Sequence, residues 1–158
     1  MEIFQEVGKV KFEGADSKNP LAFKFYNADK VVMGKKMKDH LKFAMSYWHT
    51  LCGDGTDMFG RGTTDKTFGG KTPIEIYTYK VKAAFELMEK LGIEYFCFHD
   101  RDIAPEGKTL AETNENLDVI VKVIKSEMAR TGVKCLWGTA NCFNHPRYMP
   151  VSYTHLTL

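Results

Sequence analysis

Residues 72–99, TPIEIYTYKVKAAFELMEKLGIEYFCFH, contain a capped helix that leads directly into an apolar strand. Thr72, Pro73 and Glu75 match a T-x-x-E capping box with proline at the first helical position. Gly92 stands where a left-handed residue ends many helices. Residues 93–98 are apolar on both faces, which predicts a strand covered on both sides, as in a parallel sheet. The predicted helix has one apolar stripe, formed by Ile74, Tyr77, Val81, Ala84, Phe85 and Met88.

The same pattern occurs a second time further along the chain. Thr109 and Glu112 form a second capping box, and Gly132 is placed to end that helix. Residues 133–137 are then predicted to form the next strand. Alternation of strand, helix and strand favours βαβ units, so the sequence predicts an α/β fold with a parallel sheet.

The segment before residue 72 is less regular. Residues 1–33 have little helical periodicity and are expected to form an extended N-terminal arm, with a loosely packed lead-in as the alternative. A short helix is predicted over residues 34–44, followed by an aromatic strand over residues 45–50. Residues 53–71 are rich in glycine and are expected to form a long loop. Together these give three predicted parallel strands, too few to close a barrel.

The composition excludes some classes of partner. The chain has 158 residues and a formal net charge of +2, which is too small to indicate nucleic acid or an anionic membrane as partner. No stretch resembles a signal peptide or a membrane span, so we expect a cytoplasmic protein. Cys97 and Cys135 lie in apolar runs and are expected to be buried free thiols. A metal site or a disulfide framework is the alternative for the four cysteines.

Polar or reactive residues follow all three predicted strands, in the segments 48–50 (WHT), 99–102 (HDRD) and 137–141 (WGTAN). The carboxyl ends of parallel strands meet at one rim, where barrel enzymes hold their functional side chains. His99 follows an apolar strand, and Asp102 can bond one ring nitrogen while the other exchanges a proton. Asp100 competes with Asp102 for this role. The alternative is a histidine that only caps the strand end and satisfies loop amides.

Aromatic residues are the second candidate feature. Trp48 and Trp137 end two strands on the same predicted rim, where an aromatic wall can contact the C–H faces of a sugar. A core or capping role is the alternative for both. Phe59 lies in the glycine-rich loop, and an exposed aromatic on a loop often marks a binding or subunit contact. No GxGxxG, P-loop or HExxH motif indicates a nucleotide or metalloprotease site. Structural roles are expected for His40, His49 and His145.

Three segments resemble xylose isomerases of the longer bacterial and fungal class: 47–63 YWHTLCGDGTDMFGRGT, 71–118 KTPIEIYTYKVKAAFELMEKLGIEYFCFHDRDIAPEGKTLAETNENLD and 134–149 KCLWGTANCFNHPRYM. The resemblance covers residues 1–149. It implies the N-terminal part of a (β/α)8 TIM barrel, incomplete here, with an extended N-terminal arm. It also implies a homotetramer that interconverts D-xylose and D-xylulose, and commonly D-glucose and D-fructose.

The resemblance implies roles for individual residues. His99 takes the ring-opening role by moving a proton at the bound cyclic sugar, and Asp102 orients His99. Phe59 matches an aromatic that reaches into the neighbouring subunit's site. The other matched positions of the sugar pocket are Trp48, Trp137 and Thr139.

The resemblance also implies a metal requirement. In that family two divalent ions, Mg²⁺ or alternatively Mn²⁺ or Co²⁺, hold the open-chain sugar. Their ligands come from later strands, whose motifs are absent from this chain. No metal ligand is therefore assigned here, and the isolated chain is expected to be inactive.

The C-terminal segment departs from the family pattern. Residues 150–158, PVSYTHLTL, are expected to be a non-native or frameshifted tail, which leaves residues 1–149 as the barrel portion. A non-catalytic carbohydrate-binding or interaction module made of partial barrel units is the main alternative. Another isomerase or epimerase on a related barrel is a further alternative, against which the arm and FHDRDIAPEG at 98–107 favour xylose isomerase.

Overall fold

The computed structural model describes residues 2–142, and the predicted tail at 150–158 and His145 lie outside them. In chain order the elements are β1 (Val31–Val32), β2 (Lys35–Lys36), α1 (Met37–His40), β3 (Ala44–Ser46), a π-helical turn (Trp48–Cys52), α2 (Pro73–Leu91), β4 (Tyr95–His99), α3 (Asp100–Ile103), α4 (Leu110–Thr131) and β5 (Lys134–Thr139).

A parallel sheet with the strand order β3-β4-β5 forms the centre of the fold. Met45 pairs with Phe96, and Phe96 pairs with Cys135, so the three strands run side by side. The register of β4 and β5 shifts by one residue after Phe96, where Cys97 pairs with Trp137. Helices α2 and α4 pack against each other. The α/β class and the parallel sheet are therefore confirmed, while closure into a barrel stays a prediction. The largest fully buried side chains are Tyr47, Val81, Phe85, Met88, Phe96, Ile103 and Ile120.

Helix α2 begins and ends where its sequence predicts. The Thr72 hydroxyl accepts the Glu75 N–H at 3.3 Å, and the Glu75 carboxylate accepts the Thr72 N–H at 3.1 Å. This is the reciprocal capping box, with Pro73 at the first position. Gly92 ends the helix with φ of 70°, a left-handed conformation that glycine adopts without steric cost. None of the helices within residues 2–142 has the length and apolar character needed to cross a membrane.

The helix predicted over residues 34–44 is wrong for most of its length. Strands β1 and β2 pair as an antiparallel hairpin whose two-residue loop is Met33 and Gly34. Both loop residues have positive φ, 48° and 78°, as a type I′ hairpin turn requires. Only the single turn α1 is helical within the predicted span. The local turn geometry therefore overrides the helical spacing of the apolar residues.

The strand predicted over residues 45–50 is too long. Strand β3 ends at Ser46, and Trp48 lies in the following π-helical turn and not in the strand. The Thr50 hydroxyl donates to the Ser46 carbonyl at 2.9 Å. Such a local bond gives the backbone an alternative to the sheet ladder, which explains the early end of the strand.

The second predicted capping box is only half formed. The Thr109 hydroxyl accepts the Glu112 N–H at 3.2 Å, but the Glu112 carboxylate accepts the N–H of Lys108, at 2.7 Å. Helix α4 still begins after Thr109, and Gly132 ends it with φ of 77°.

The two cysteines of the apolar runs differ in burial. Cys97, in the central strand β4, is 7% exposed, as predicted. The burial predicted for Cys135 is wrong, because β5 is at the edge of the described sheet and all its residues are exposed. All four cysteines are free thiols.

The N-terminal arm (residues 2–30) contains several turns and bends and is anchored on α2. The Glu86 carboxylate accepts the N–H groups of Ile3 and Phe4 at 2.6 and 2.9 Å. Lys90 lies 2.8 Å from the same carboxylate and also donates to the Phe4 carbonyl. The Lys90 carbonyl in turn accepts the N–H of Val10. The arm is therefore held at the C-terminal half of α2, away from the carboxyl ends of the strands.

Candidate active site

Three aromatic rings meet at the carboxyl end of the sheet. The ring of Trp48 lies 4.7 Å from that of His99 and 5.5 Å from that of Trp137, measured between centroids. The rings of His99 and Trp137 are 5.8 Å apart. Although Trp48 comes from the π-helical turn, the three residues share one rim, as the sequence predicts. Tryptophan faces beside a histidine form a surface that suits a small ligand with both C–H and hydroxyl groups.

His99 and Asp102 form a hydrogen-bonded pair. One oxygen of the Asp102 carboxylate, Oδ2, accepts the backbone N–H of His99 at 2.8 Å and lies 3.0 Å from Nδ1 of its ring. The single turn α3, which directly follows β4, brings the carboxylate back onto the strand end. Asp102 is only 8% exposed, so little water competes for its oxygens. This contact engages Nδ1 of the His99 ring and fixes the orientation of the imidazole.

The Asp100 carboxylate binds two backbone amides and is not the partner of the His99 ring. Its carboxylate accepts the N–H groups of Arg101 and Asn141 at 2.8 and 2.9 Å. Because Asn141 follows β5, this carboxylate connects the exits of two neighbouring strands. Asp102, and not Asp100, is therefore the partner of His99.

Thr139 and Gly138 continue the site along β5. Thr139 is opposite His99 in the parallel register, and Gly138 is opposite Phe98. A Cβ atom at Gly138 would lie 2.6 Å from Cζ of the Phe98 ring, closer than atoms can approach. Glycine therefore lets the Phe98 ring lie against β5, directly beside the rim. Gly138 belongs to the predicted rim segment 137–141, but it lies one residue beyond the predicted strand 133–137. Strand β5 in fact extends to Thr139, and a glycine inside a strand often marks such a close approach.

Phe59 is separate from the aromatic cluster. It is 90% exposed, and no ring contact among the described residues joins it to Trp48, His99 or Trp137. The Asp57 carboxylate accepts its N–H at 2.8 Å in a tight turn. The structure thus brings together five of the six predicted site residues, and leaves Phe59 on an exposed loop.

The structure also describes His40 and His49, for which structural roles are predicted. His40 lies with Nε2 2.8 Å from the Val32 carbonyl, which agrees with a structural role in the hairpin. His49 is exposed beside Trp48, with ring centroids 5.5 Å apart.

A buried polar cluster behind the rim was not predicted. Lys80, on α2, is 6% exposed, and its Nζ lies 3.9 Å from Sγ of Cys52 and 4.1 Å from the ring centroid of Tyr77. The Cys52 thiol in turn donates to the Asp102 carbonyl at 3.6 Å. Burial lowers the pKa of Lys80 and raises the pKa of Cys52, because each charged form loses hydration. Lys80 lies three residues after Tyr77 and four before Ala84, so it falls on the apolar stripe of α2. That position is a sequence signal for the burial of its side chain.

The described residues do not fit a metal centre. Within residues 2–142 no group of three or more His, Cys, Asp or Glu side chains is placed to hold an ion. The most obvious donors at the rim, His99 and Asp102, are bonded to each other. The donor set needed for a divalent ion is therefore not supplied by this part of the chain.

Comparison with known proteins gives a consistent set of relatives. No protein-family model matches the sequence. The xylose isomerase of Thermotoga neapolitana is 56% identical over 149 residues, which cover 94% of this chain and 34% of that protein. The xylose isomerase of Tetragenococcus halophilus is 51% identical with the same coverage, and that of Bacillus pumilus is 53% identical over 143 residues. The chain therefore spans about a third of the length of the curated relatives it matches.

Proposed function

We propose that this chain, which is 53–56% identical to xylose isomerases over about a third of their length, supplies the ring-opening part of the active site of a D-xylose isomerase. The observation that carries the proposal is the His99–Asp102 pair at the rim of a parallel sheet, in contact with two tryptophan rings. A proton-transfer group beside an apolar wall is the arrangement that ring opening of a cyclic sugar needs.

The chemistry of ring opening defines what His99 has to do. A cyclic aldose opens when the anomeric hydroxyl loses its proton, the bond from C1 to the ring oxygen breaks, and the ring oxygen gains a proton. Nε2 of a neutral imidazole can accept the first proton and return one to the ring oxygen. Asp102 fixes the ring orientation through Nδ1 and stabilises the imidazolium that forms between the two transfers.

The surrounding residues position the sugar in this proposal. Trp48 and Trp137 contact the apolar C–H faces of the sugar ring, and the Thr139 hydroxyl, opposite His99, bonds a sugar hydroxyl. Phe59, on its exposed loop, completes the site of a neighbouring subunit in a homotetramer.

The rest of the reaction belongs to the remainder of a longer protein. We propose that a complete (β/α)8 barrel in the cytoplasm interconverts D-xylose and D-xylulose, and D-glucose and D-fructose. Residues beyond this segment would hold two divalent ions, Mg²⁺ or alternatively Mn²⁺ or Co²⁺, which would supply Lewis-acid chemistry for the isomerisation. Because the resemblance assigns the ligands to later strands, the isolated chain is predicted to be inactive.

The proposal is tested in a full-length protein that contains this segment. His99→Gln should lower the turnover of D-xylose by about 10²-fold or more, the range for a lost general acid–base group, and leave metal affinity nearly unchanged. His49→Gln, on the exposed neighbouring turn, is the matched control and should leave turnover nearly unchanged. A large loss of metal binding in His99→Gln, or unchanged turnover, would overturn the assigned role.

The second candidate function is a non-catalytic carbohydrate-binding module. Two tryptophans at one rim, in a stretch of chain with no metal-ligand group, are the observation in its favour. If the isolated chain binds D-xylose, tryptophan fluorescence should change on titration and Trp48→Ala should abolish the change. Binding by the isolated chain together with an inactive full-length protein would favour the module over the enzyme.

A further inference from the structure

A buried lysine behind the rim has no part in the function proposed so far. Lys80 projects from the middle of α2 and is 6% exposed, although a lysine is almost never fully buried unless it is paired. Within residues 2–142, its Nζ is hydrogen-bonded to the Cys52 thiol at 3.9 Å and lies 4.1 Å from the ring centroid of Tyr77. A buried ammonium is best compensated by a carboxylate, so its contact with a thiol points to a chemical role for the pair.

The amine and the thiol are brought together by two separate elements. Cys52 ends the π-helical turn, and Lys80 follows it by 28 residues, on α2. Cys52 is half-buried, so a small solute can reach its sulfur atom, whereas the Lys80 amine approaches that sulfur from the protein interior. A nitrogen nucleophile is therefore held against a sulfur atom that an oxidant can attack.

Burial brings the proton affinities of the two groups closer together. It lowers the pKa of the Lys80 ammonium, because the charged form loses hydration. It also raises the pKa of the Cys52 thiol, although the positive charge of Lys80 opposes that effect. A proton can therefore pass from the thiol to the amine, which gives a thiolate in contact with an ammonium. The thiolate is the form of cysteine that peroxides oxidise.

We propose that Lys80 and Cys52 form a site of reversible oxidative cross-linking, where a peroxide converts the contact between amine and thiol into a covalent S–N bond, a sulfenamide. The distance of 3.9 Å between Nζ and Sγ leaves no room for an intervening group. A small movement of the flexible lysine side chain is then enough to form the bond. The inference goes beyond ring opening and does not depend on it.

The reaction has two steps, with hydrogen peroxide as the oxidant. The Cys52 thiolate first attacks one peroxide oxygen, the O–O bond breaks, and the departing hydroxide takes a proton from the Lys80 ammonium. This leaves a sulfenic acid, one water molecule and a neutral amine. The amine nitrogen then attacks sulfur, the S–O bond breaks, and a second water molecule leaves with a proton from nitrogen. Sulfur loses two electrons, and the peroxide is reduced to water.

A dithiol reverses the modification. One of its sulfur atoms attacks Sγ of Cys52, the S–N bond breaks, and the released nitrogen of Lys80 regains a proton. The second dithiol sulfur then releases the Cys52 thiol, so that the dithiol ends as a disulfide.

The S–N bond would also change the surroundings of the rim. The Cys52 thiol donates to the Asp102 carbonyl at 3.6 Å, and a sulfenamide sulfur has no hydrogen to donate. The bond would also tether α2 to the π-helical turn, which carries Trp48. Oxidation therefore acts on both the turn α3 and the Trp48 segment without modifying a residue assigned to the sugar.

The test treats a full-length protein containing this segment with hydrogen peroxide and digests it with a protease that does not cut at lysine. Mass spectrometry should find the Cys52 and Lys80 peptides joined, at the sum of their masses less two hydrogen atoms. Dithiothreitol added before digestion should return both peptides unmodified. The cross-link should be lost in Cys52→Ser, which has no sulfur, and in Lys80→Arg, whose guanidinium stays protonated.

Two further measurements make the result specific. Lys66→Met is the matched control, because Lys66 is near enough to act on the charge of Cys52 but Lys80 supplies the hydrogen-bonded nitrogen. The cross-link to Lys80 should form in this variant as it does in the unsubstituted protein. In Lys80→Arg, dimedone should capture the Cys52 sulfenic acid, which then has no amine to attack it.

The inference is overturned by three outcomes in the unsubstituted protein. These are the absence of the cross-link after peroxide treatment, a cross-link from Cys52 to Lys66, and a product that keeps an oxygen atom between nitrogen and sulfur. None of the three needs a variant to fold. Because the readout is the mass of a peptide, failure of the ring-opening role leaves this test unaffected.

Discussion

Oδ2 of Asp102 accepts two hydrogen bonds from His99, one from its backbone N–H and one from Nδ1 of its ring, at 2.8 and 3.0 Å. A single carboxylate oxygen thus fixes both the strand end and the orientation of the ring. Because one oxygen holds both groups, the position of the imidazole depends on this aspartate as well as on strand β4.

Asp102→Asn should therefore impair the site in a full-length protein. The amide retains the shape of the side chain but loses the charge that stabilises an imidazolium, so D-xylose turnover should fall at least about tenfold. Steady-state kinetics measures the loss. Asp100→Asn is the matched control, because an amide oxygen can still accept the N–H groups of Arg101 and Asn141. Equal losses in the two variants would contradict a specific role for Asp102.

Gly138→Ala should destabilise the rim. The added Cβ would lie 2.6 Å from the Phe98 ring, and relief of such overpacking typically costs about 1–3 kcal/mol. Urea denaturation, followed by tryptophan fluorescence, measures the free energy of unfolding. Gly53→Ala is the control, because its nearest neighbour would be the His49 carbonyl at an ordinary 3.6 Å. A Gly138→Ala variant as stable as Gly53→Ala would show that the close approach of Phe98 is not needed.

The docking of the N-terminal arm should be sensitive to acid. Burial acts to raise the pKa of Glu86, but Lys90 and the amides of Ile3 and Phe4 outweigh it, so the pKa is lowered. A lowered pKa in the folded state means that docking is stabilised above the ordinary pKa of glutamate and lost as pH falls through the lower, folded-state value. The protection factors of the arm amides, which compare each exchange rate with the intrinsic rate at the same pH, should therefore fall in acid.

Glu86→Gln should give similarly low protection factors at neutral pH, since a neutral amide cannot form the ion pair with Lys90. Glu89→Gln removes a neighbouring carboxylate that pairs with Arg130 and should leave the arm protected. Protection of the arm that is equal at neutral and acid pH would contradict the role of Glu86.

The exposed strand β5 should promote self-association of the isolated chain. Leu136 is 56% exposed at the edge of the described sheet, where unpaired backbone groups invite another strand. We expect aggregation or binding of a hydrophobic dye, and Leu136→Lys should reduce both because a charge at an edge opposes pairing. Val119→Lys, on the exposed face of α4, is the control. A monodisperse monomer that binds no dye would contradict the barrel-fragment interpretation.

The elements predicted correctly are those whose ends are determined by residues close to them in the sequence. Thr72, Glu75 and Gly92 define both ends of α2, and the alternating order of elements was sufficient to predict a parallel sheet. The hairpin at Met33 and Gly34 was missed because helical spacing of apolar residues is weak evidence over a short span, and two positive φ angles decide the conformation there.

The rim was predictable because parallel strands place their carboxyl ends together. That reasoning located Trp48, His99 and Trp137 at one end, although Trp48 reaches it from a π-helical turn. The choice between Asp100 and Asp102 depends on how the chain turns after β4, which spacing alone does not define. The position of Lys80 in the apolar stripe signals its burial, but the contact of its Nζ with Cys52 depends on how α2 packs against the π-helical turn, which the sequence does not show.

The role of His99 in ring opening is tested most directly by comparing a cyclic substrate with one that cannot form a ring. In a full-length protein containing this segment, His99→Gln should lower turnover of D-xylose by about 10²-fold or more, because ring opening loses its proton-transfer group. Turnover of D-glyceraldehyde, a triose too short to cyclise, should stay within about twofold of the unmodified protein, because uncyclised substrate bypasses the step. Equal losses for both substrates would contradict the proposal that the pair opens the sugar ring.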